Sequence, residues 1–290
     1  MRKRDLQLAL AAIKLSRLPG VGARLFQNLV EAAKSPCEAL ENYLVQLPDH
    51  MSSLPEFSQK KASTERGIER AEDFLKTGGK ATYRGHADYP VLLAEIPEPP
   101  PVLFIRGKIP QMPMIAVVGS RKADADGEKA AKIISGKLIE EGFCIISGGA
   151  HGIDTFAHKL SLAMNKPTVA VFGCGVDIPY PKANKSMFDK ITARGALLSE
   201  LLPGTPPQRS FFPTRNRIVA GLAKAVVIIQ ASSRSGALIT ARFARKFNRP
   251  VFAVVPTSAS EAWDGNRFLI ANSLAKPLSM DESFTFLRDS

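Results

Sequence analysis

The sequence predicts an α/β fold: a doubly wound, mostly parallel sheet over residues 114–285, preceded by a small all-helical domain over residues 1–80. Three observations support this. Apolar residues recur at helical spacing in the first 80 residues, prolines crowd residues 81–113, and short apolar runs alternate with amphipathic segments from residue 114 onward.

The predicted N-terminal domain contains four helices. Apolar periodicity places them at 6–15, 25–33, 39–47 and 68–75. The break between the first two reads Leu18-Pro-Gly-Val-Gly-Ala-Arg24. This Pro-Gly-x-Gly turn resembles a helix-hairpin-helix, whose backbone N–H groups hold a DNA phosphate. A plain interhelical turn is the alternative, and the small excess charge of the flanking residues favours it.

Residues 81–113 form a connector that contains seven prolines, a density that excludes a helix. The run Val102-Leu-Phe-Ile105 predicts one short edge strand within it.

The region from residue 114 alternates strand and helix. Its apolar, largely β-branched runs predict strands buried on both faces, at 115–118, 143–147, 168–172, 196–198, 225–229 and 251–255. The segments between them predict helices at 126–140, 153–164, 184–193, 214–222, 236–247 and 265–271. Such an alternation gives right-handed crossovers and a ligand site beyond the carboxyl ends of the strands.

The loops that follow these strands combine glycines, small hydroxyls and bases. They include Gly119-Ser120-Arg121, Gly148-Gly149-Ala-His151, Lys182-Ala-Asn184-Lys185, Arg215-Asn216-Arg217 and Ser233-Arg234-Ser235. Glycines let a backbone approach an anion closely, and helix N-termini direct N–H groups toward it. Phe188 follows the third of these loops. It could stack on a nucleobase beside the basic side chains, or it could be a core residue under a helix.

Charge is concentrated in one stretch. Residues 201–260 carry nine Lys or Arg and no Asp or Glu, so they hold +9 of the total net charge of +12. A one-signed field of this kind predicts a polyanionic partner at the carboxyl ends of the strands.

Several other chemistries lack their signatures. The chain has no GxxxxGK[ST] phosphate loop, no serine elbow and no cysteine–histidine cluster with metal-ligand spacing. The Gly148-Gly149 turn resembles a dinucleotide fingerprint loosely, but no acidic residue ends the next strand to hold a ribose. Asp154 and His158 are four residues apart and could pair, as a helix-stabilising bond or as an acid–base couple.

We expect a cytoplasmic protein. The three scattered cysteines suit a reducing compartment, the apolar start is cut by Lys14 as in an amphipathic helix, and no run reaches membrane-spanning length.

The motifs together resemble the DprA (Smf) family of DNA-processing proteins. The matching stretches, in the family's order, are Val118-Gly-Ser-Arg121, Ile146-Ser-Gly-Gly-Ala-His-Gly-Ile-Asp-Thr-Phe-Ala-His158, Gly173-Cys-Gly-Val-Asp-Ile-Pro-Tyr-Pro181, Phe212-Pro-Thr-Arg-Asn-Arg-Ile-Val-Ala-Gly-Leu222 and Ser235-Gly-Ala-Leu-Ile-Thr-Ala241. The resemblance implies an extended Rossmann-like domain that binds single-stranded DNA without catalysis and needs no cofactor or metal. It also implies a homodimer that protects incoming strands in natural transformation and loads RecA recombinase onto them.

The resemblance assigns roles to residues of this chain. Ser120 and Arg121 become phosphate contacts, the Gly148-Gly149 turn cradles the DNA backbone, and Phe188 takes the possible stacking position. The full set of implied DNA contacts is Gly119, Ser120, Arg121, Gly148, Gly149, His151, Lys182, Asn184, Lys185, Phe188, Arg215, Asn216, Arg217 and Arg234. The N-terminal helices look like the sterile-alpha-motif type of domain found in many members.

The chain departs from the family's pattern in three places. Gln230 stands where a glutamate is common, Pro256-Thr257 replaces the usual Pro-Gly, and the sequence ends at Ser290 without a C-terminal winged helix.

Two other functions are weighed. Phosphoribohydrolases of a related Rossmann-like group use a PGGxGTxxE motif with a catalytic glutamate, and the corresponding stretch here, Arg234-Ser-Gly-Ala-Leu-Ile-Thr-Ala241, lacks the carboxylate. A protein scaffold that brings a recombinase to DNA is the third possibility, and it overlaps the first.

Overall fold

The computed structural model describes residues 3–18, 20–46 and 55–284. Within the predicted elements, Pro19 of the first turn, Leu47 at the end of the third helix and residue 285 lie outside the described residues. The described residues form two compact units. The N-terminal unit contains those up to Arg106 with the segments Cys174–Ile178 and Ser199–Pro206, and the sheet unit contains Gly107–Gly173, Pro179–Leu198 and those from Pro207 on. The predicted connector is therefore divided at residue 106.

The N-terminal unit is built from helices and one hairpin. Its helices are α1 (Lys3–Ser16), α2 (Ala23–Ala33), α3 (Pro36–Gln46), α4 (Pro55–Lys76) and the short α5 (Val91–Ala94). The expectation that the prolines exclude a helix from residues 81–113 is therefore wrong, since Pro90 lies at the N-terminus of α5, where a proline is tolerated. The strands β1 (Lys80–Tyr83) and β2 (Val102–Gly107) pair antiparallel, with Lys80 opposite Ile105. Ile13, Leu15 and Phe26 of the helices are fully buried, as the helical spacing of apolar residues predicts, and so is Phe104 of β2.

The turn between α1 and α2 uses its own amide groups. The Val21 N–H donates to the Leu18 carbonyl at 3.1 Å, and the Gly22 N–H donates to the Gly20 carbonyl at 3.1 Å. A helix-hairpin-helix needs such groups free for a phosphate, so the structure favours the plain interhelical turn.

The sheet unit carries the alternating elements. Its strands are β3 (Met114–Val118), β4 (Cys144–Ser147), β5 (Thr168–Val171), β6 (Ala196–Ser199), β7 (Ala225–Ile228), β8 (Val251–Val254) and β9 (Lys276–Leu278). Its helices are α6 (Ala125–Glu140), α7 (Ile153–Ala163), α8 (Lys185–Arg194), α9 (Phe211–Leu222), α10 (Ala237–Lys246) and α11 (Asp264–Ala271), with 3-10 turns at Lys182–Asn184 and Glu261–Trp263. Neighbouring strands are parallel, in the order β6-β5-β4-β3-β7-β8-β9.

Helices cover both faces of this sheet. On one face Ile115, Val117 and Val227 pack with the apolar sides of α6 and α7. On the other face α9 and α10 pack together, α9 against β3, β4 and β5 and α10 against β7 and β8. The doubly wound α/β fold is therefore confirmed, with strand bounds within one residue of those predicted.

Two strands escaped prediction. The three-residue β9 contains Pro277, which cannot donate to a ladder and is tolerated because β9 is the edge strand of the sheet unit. β1 is only four residues long and mixes exposed with buried positions.

No helix in the described part of the chain combines the length and the hydrophobicity that a bilayer crossing requires.

Candidate functional site

The strand order reverses between β3 and β7. The chain proceeds from β3 to β6 in one direction across the sheet, and β7, β8 and β9 continue in the other direction. In such sheets ligands bind outside the carboxyl ends of the strands at the reversal point. The loops after β3 and β7 meet there, because the Ser120 N–H donates to the Gln230 carbonyl at 2.6 Å. We call this side of the sheet unit the carboxyl edge and the opposite side the amino edge.

Exposed cations lie on the loops of the carboxyl edge. They follow β3, β5, β6 and β7, and they are Arg121, Lys122, Lys182, Lys185, Arg209 and Arg234. Lys185 is compensated locally, since its Nζ lies 2.8 Å from an Asp189 carboxylate oxygen within the same helix. The other five carry the positive field that an anion would meet first.

Two aromatic side chains that the sequence analysis missed lie among these cations. The Arg121 guanidinium carbon lies 5.5 Å from the centre of the Phe212 ring. The Tyr180 ring centre is 5.5 Å from that of Phe212, and Tyr180 is 42% exposed. Both residues stand inside motifs that the sequence analysis quoted, so their position in those motifs could have indicated them.

Phe188 is a core residue. Its side chain is 1% exposed, its ring packs edge-on against Phe172 at 4.7 Å, and it fills the space beside Gly149. A base can stack only on an exposed ring. The stacking alternative for Phe188 is therefore wrong for this structure.

Arg215 is 6% exposed and lies beneath the glycine turn. Its guanidinium donates to the Gly148 carbonyl at 2.6 Å and to the Val171 carbonyl, and its Nε donates to Asn216 Oδ1 at 3.1 Å. A Cβ on Gly148 would lie 2.4 Å from the guanidinium. The prediction that Arg215 contacts DNA is corrected, because its donors are directed into the protein.

The glycine turn holds a carboxylate. The N–H groups of Gly148 and Ala150 donate to Asp154 Oδ2 at 3.1 and 3.2 Å. Burial raises the pKa of Asp154, and the nearby Arg215 acts in the opposite direction. The predicted phosphate cradle at Gly148 and Gly149 is therefore corrected, since Asp154 accepts the Gly148 N–H and both glycines are buried.

The remaining predicted contacts divide by exposure. Asn184 is 6% exposed and donates to the Gly149 carbonyl at 3.1 Å and to Thr155 Oγ1 at 2.9 Å, so it holds the loop from below. Gly119, Ser120, Asn216 and Arg217 are half-buried, and His151 is exposed. The Asn216 side chain donates to the Gly236 carbonyl at 3.2 Å, which ties α9 to the loop after β7.

Among the groups suited to acid–base or nucleophilic chemistry, His158 and Cys144 are buried, whereas His151 is exposed. The sequence allowed a pair between Asp154 and His158, but His158 instead contacts Thr168 Oγ1 at 2.8 Å. Burial together with the Arg215 charge lowers the pKa of His158 to about 3. Burial also raises the pKa of the Cys144 thiol to about 12. Among the described residues no cluster of three or more His, Cys, Asp or Glu is placed to hold a metal ion.

The basic stretch 201–260 does not form one surface. Arg209, Arg215, Arg217 and Arg234 belong to the carboxyl edge. Lys224, Arg245, Lys246 and Arg249 lie at the amino edge, because they precede β7 and β8, and Arg242 lies along α10 between the two edges. The chain crosses the sheet between these groups, so the expectation of a single polyanion patch is corrected.

Gln230 explains one departure from the family pattern. It is buried, its Nε2 donates to Asp124 Oδ1 at 2.8 Å, and its Oε1 accepts from the Asp124 N–H at 3.2 Å. Asp124 in turn caps α6 by accepting from the Gly127 N–H, which is the main reason that its pKa is lowered.

We expect Gln230→Glu to destabilise the chain by about 1–3 kcal/mol at neutral pH, because it sets a buried carboxylate against Asp124 and removes a donor. The loss should shrink as pH falls and the new carboxyl is protonated. Urea unfolding at pH 5 and pH 8 measures it, with Gln230→Met as the uncharged control. An equal loss at both pH values would contradict the account.

Comparison with known proteins identifies the family. Residues 80–287 match the model of the family described as DNA recombination-mediator protein A. The chain is 43% identical over 201 residues to the protein Smf of Synechocystis, of which it covers 50%, with 67% of this chain included. It is 43% identical over 185 residues to the DNA processing protein DprA of Streptococcus pneumoniae, covering 65% of that protein and 63% of this chain. The chain thus spans between about half and two thirds of these relatives.

Solved structures agree. DNA processing protein A from Streptococcus pneumoniae superposes with a TM-score of 0.75 at 30% identity, over 96% of this chain and 95% of that one. DNA processing protein A from Helicobacter pylori, studied for its single-stranded DNA binding mode, gives a TM-score of 0.64 at 26% identity, over 73% of this chain and 95% of that one. The chain belongs to the DNA recombination-mediator protein A family, whose curated members carry the names DprA and Smf.

Proposed function

We propose that this chain binds single-stranded DNA at the carboxyl edge of the sheet unit and catalyses no reaction on it. The observation that carries the proposal is the grouping of Arg121, Phe212 and Tyr180, with exposed bases on the neighbouring loops. Cations that follow a phosphate backbone, combined with aromatic faces on which bases stack, are the recipe for sequence-tolerant binding of an unpaired strand.

Direct contacts fall to the exposed subset of the predicted residues. They are Arg121, His151, Lys182, Lys185 and Arg234, to which the half-buried Ser120 and Phe212 and the exposed Arg209 and Tyr180 are added. The buried set, Gly148, Gly149, Asn184, Phe188 and Arg215, fixes the loops that present them. The buried residues thus keep the loops rigid, and the exposed residues contact the DNA.

Burial of His158 and of two of the three cysteines supports a role without catalysis. A histidine whose pKa is near 3 is neutral at physiological pH, and its burial keeps a substrate from reaching it. The thiols of Cys144 and Cys174 are buried as well. A general acid or base is expected to have a pKa near the working pH and access to the substrate.

The resemblance to the family extends the proposal. We infer that the bound strand is protected during natural transformation and passed to RecA recombinase, and that the chain works as a homodimer in the cytoplasm. The relatives' names and the carboxyl-edge geometry support the DNA-binding part of this proposal.

Arg121→Ala combined with Arg234→Ala is expected to weaken binding of oligothymidylate by about 10-fold or more at low salt. The slope of log affinity against log salt should flatten by about 0.7 for each lost phosphate contact. Fluorescence anisotropy over a salt series, with single-stranded and duplex DNA of the same length, measures both.

Lys159→Ala is the matched control, since Lys159 is exposed on α7 of the same unit and away from these loops. If the double variant binds as tightly as wild type, with the same slope, the DNA site lies elsewhere.

A further inference from the structure

A second group of cations lies at the amino edge of the sheet unit and extends from it along α10. It consists of Lys224, which precedes β7, Arg245 and Lys246 in the last turn of α10, Arg242 one turn before them, and Arg249 in the turn before β8. We call these five residues the amino-edge cluster. None of them belongs to the carboxyl-edge site, and the strands that separate the two edges are four or five residues long, or about 13–17 Å.

Helix α10 is amphipathic in a way that fits this surface. Its buried residues are Ala237, Thr240, Ala241 and Ala244, which recur at helical spacing. Arg242, Arg245 and Lys246 have the spacing i, i+3 and i+4 on the exposed side. Arg245 and Lys246, which are consecutive, therefore each lie about one helical turn, or 5.4 Å, from Arg242.

Strand register brings the other two cations to the same edge. β7 and β8 are parallel with Val226 opposite Val251, and the Val226 N–H donates to the Pro250 carbonyl at 2.9 Å. Lys224 and Arg249 each lie two residues before this pair, so their backbones are neighbours. The Arg249 N–H donates to the Ala244 carbonyl at 2.8 Å, which holds the turn against the end of α10.

The segments that precede β3, β7, β8 and β9 carry no carboxylate, and the acidic residues nearest in the sheet order, Glu140 and Glu141, precede β4, one strand beyond β3. Residues 201–260 contain no Asp or Glu, and residues 107–113, which lead into the adjacent β3, contain none either. On the other side, exposed Lys276 begins β9 and pairs with Phe252 of β8. Cations near the C-terminus of a helix also stabilise it by interacting with the negative end of its dipole, but one or two cations would be enough for that stabilisation.

We propose that the amino-edge cluster is a second phosphate-backbone site, which binds a different segment of a single-stranded polynucleotide from the one held at the carboxyl edge. For the identity of the ligand, this inference rests on the proposed function. The exposed cations Arg242, Arg245 and Lys246 suit a polyanion with several phosphates better than a single small anion, since no enclosed pocket is required. A strand that occupies both sites would pass around the flank of the sheet unit.

The test variant is Arg242→Ala/Arg245→Ala/Lys246→Ala. All three positions are exposed on a helix, where alanine is the most favourable residue, so the variant is expected to fold. Two probes are used: an oligothymidylate of about 8 nucleotides, sized for one site, and one of about 30 nucleotides, long enough for both. The control Lys129→Ala/Lys132→Ala/Lys159→Ala removes the same charge from α6 and α7.

We expect wild type to bind two of the short oligonucleotides at low salt and the amino-edge variant to bind one. For the long oligonucleotide the variant should lose about 10-fold or more in affinity, and its salt slope should flatten by about two units, or 0.7 for each of three contacts. Arg242→Lys/Arg245→Lys, which keeps the charge, should behave as wild type.

Unchanged stoichiometry and salt slope in the amino-edge variant would overturn the proposal. The cluster would then be assigned to contact with an acidic protein surface. An equal loss in the α6–α7 control would overturn it too, because net charge alone would then explain the effect. The carboxyl-edge variant Arg121→Ala/Arg234→Ala separates the two proposals. If the carboxyl-edge variant binds as wild type does while the amino-edge variant loses affinity, the proposed function fails and the amino-edge site is supported.

Discussion

Arg215→Ala is expected to destabilise the sheet unit by about 3–5 kcal/mol, the range found when one partner of a buried charged pair is removed. The substitution deletes the donors to the Gly148 and Val171 carbonyls and takes away the charge that offsets the Asp154 carboxylate. Two carbonyls and one carboxylate would then be left with fewer partners in a buried layer.

The pH dependence of this loss identifies its cause. Burial holds the pKa of Asp154 above its ordinary value, so its ionisation favours unfolding, and stability falls as pH rises from the unfolded pKa through the folded one. Without Arg215 the pKa of Asp154 in the folded protein rises further, so the pH range over which stability falls extends to higher pH. The deficit relative to wild type should therefore be larger at pH 8 than at pH 5, where more of Asp154 is protonated.

Urea unfolding of both proteins across this pH range measures the effect. Arg215→Ala/Asp154→Asn is the decisive companion, because with no carboxylate at 154 the pH-dependent part of the deficit should disappear. A deficit of the same size at every pH would mean that the lost hydrogen bonds, and not the unpaired charge, account for it.

The architecture of the sheet unit could be predicted because its signals are local. Runs such as Met114–Val118 and Ala225–Ile228 are short, apolar and bounded by turns, and alternation with helices allows few other folds. The presence of these loops on one edge follows from a parallel sheet alone, whereas their order depends on the strand order, which the sequence analysis did not predict. The edge strand β9 was missed because a three-residue strand containing Pro277 has no readable period.

The candidate site was predicted less well, since side-chain burial is a tertiary property. Gly148 and Gly149 have the appearance of a phosphate cradle, yet they are needed because Arg215 and Phe188 lie directly against them. Residue type alone cannot distinguish a backbone that must approach a ligand from one that must approach its own core.

Charge along the sequence misled for a related reason. The stretch 201–260 is one-signed, but a strand–helix–strand crossover traverses the sheet, so residues 30 positions apart can meet and residues ten apart can lie on opposite edges. Arg234 and Arg245 illustrate the second case, one in the loop after β7 and the other in the last turn of α10. The position of a basic residue within its strand–helix–strand unit is therefore more informative than the net charge of the whole stretch.

Gly152→Ala is expected to be among the most damaging single-methyl changes in the chain. Gly152 has φ +73° and ψ −128°, a conformation that residues with a Cβ rarely adopt. A Cβ there would lie 2.2 Å from the Ser120 carbonyl oxygen and 2.9 Å from the Arg121 carbonyl carbon and oxygen. These are backbone atoms that cannot rotate away, and the Ser120 oxygen also accepts the Ile153 N–H at 3.1 Å.

The methyl group must therefore displace the loop that carries Arg121 or the start of α7. We expect a loss of about 4 kcal/mol or more in unfolding free energy, as for strain combined with overpacking. Thermal and urea unfolding measure that loss, and anisotropy with oligothymidylate under conditions where the variant is folded measures its effect on the site.

Gly236→Ala provides the matched control on the same edge. Gly236 has φ −60° and ψ −18°, and a Cβ there would meet nothing within 4 Å, so the change should be neutral or stabilise by up to about 1 kcal/mol. Because both substitutions add one methyl group to a loop of the carboxyl edge, their difference isolates the contact with residues 120 and 121. If Gly152→Ala unfolded at the same urea concentration as Gly236→Ala and bound DNA equally well, the β3 loop would not depend on close packing against α7.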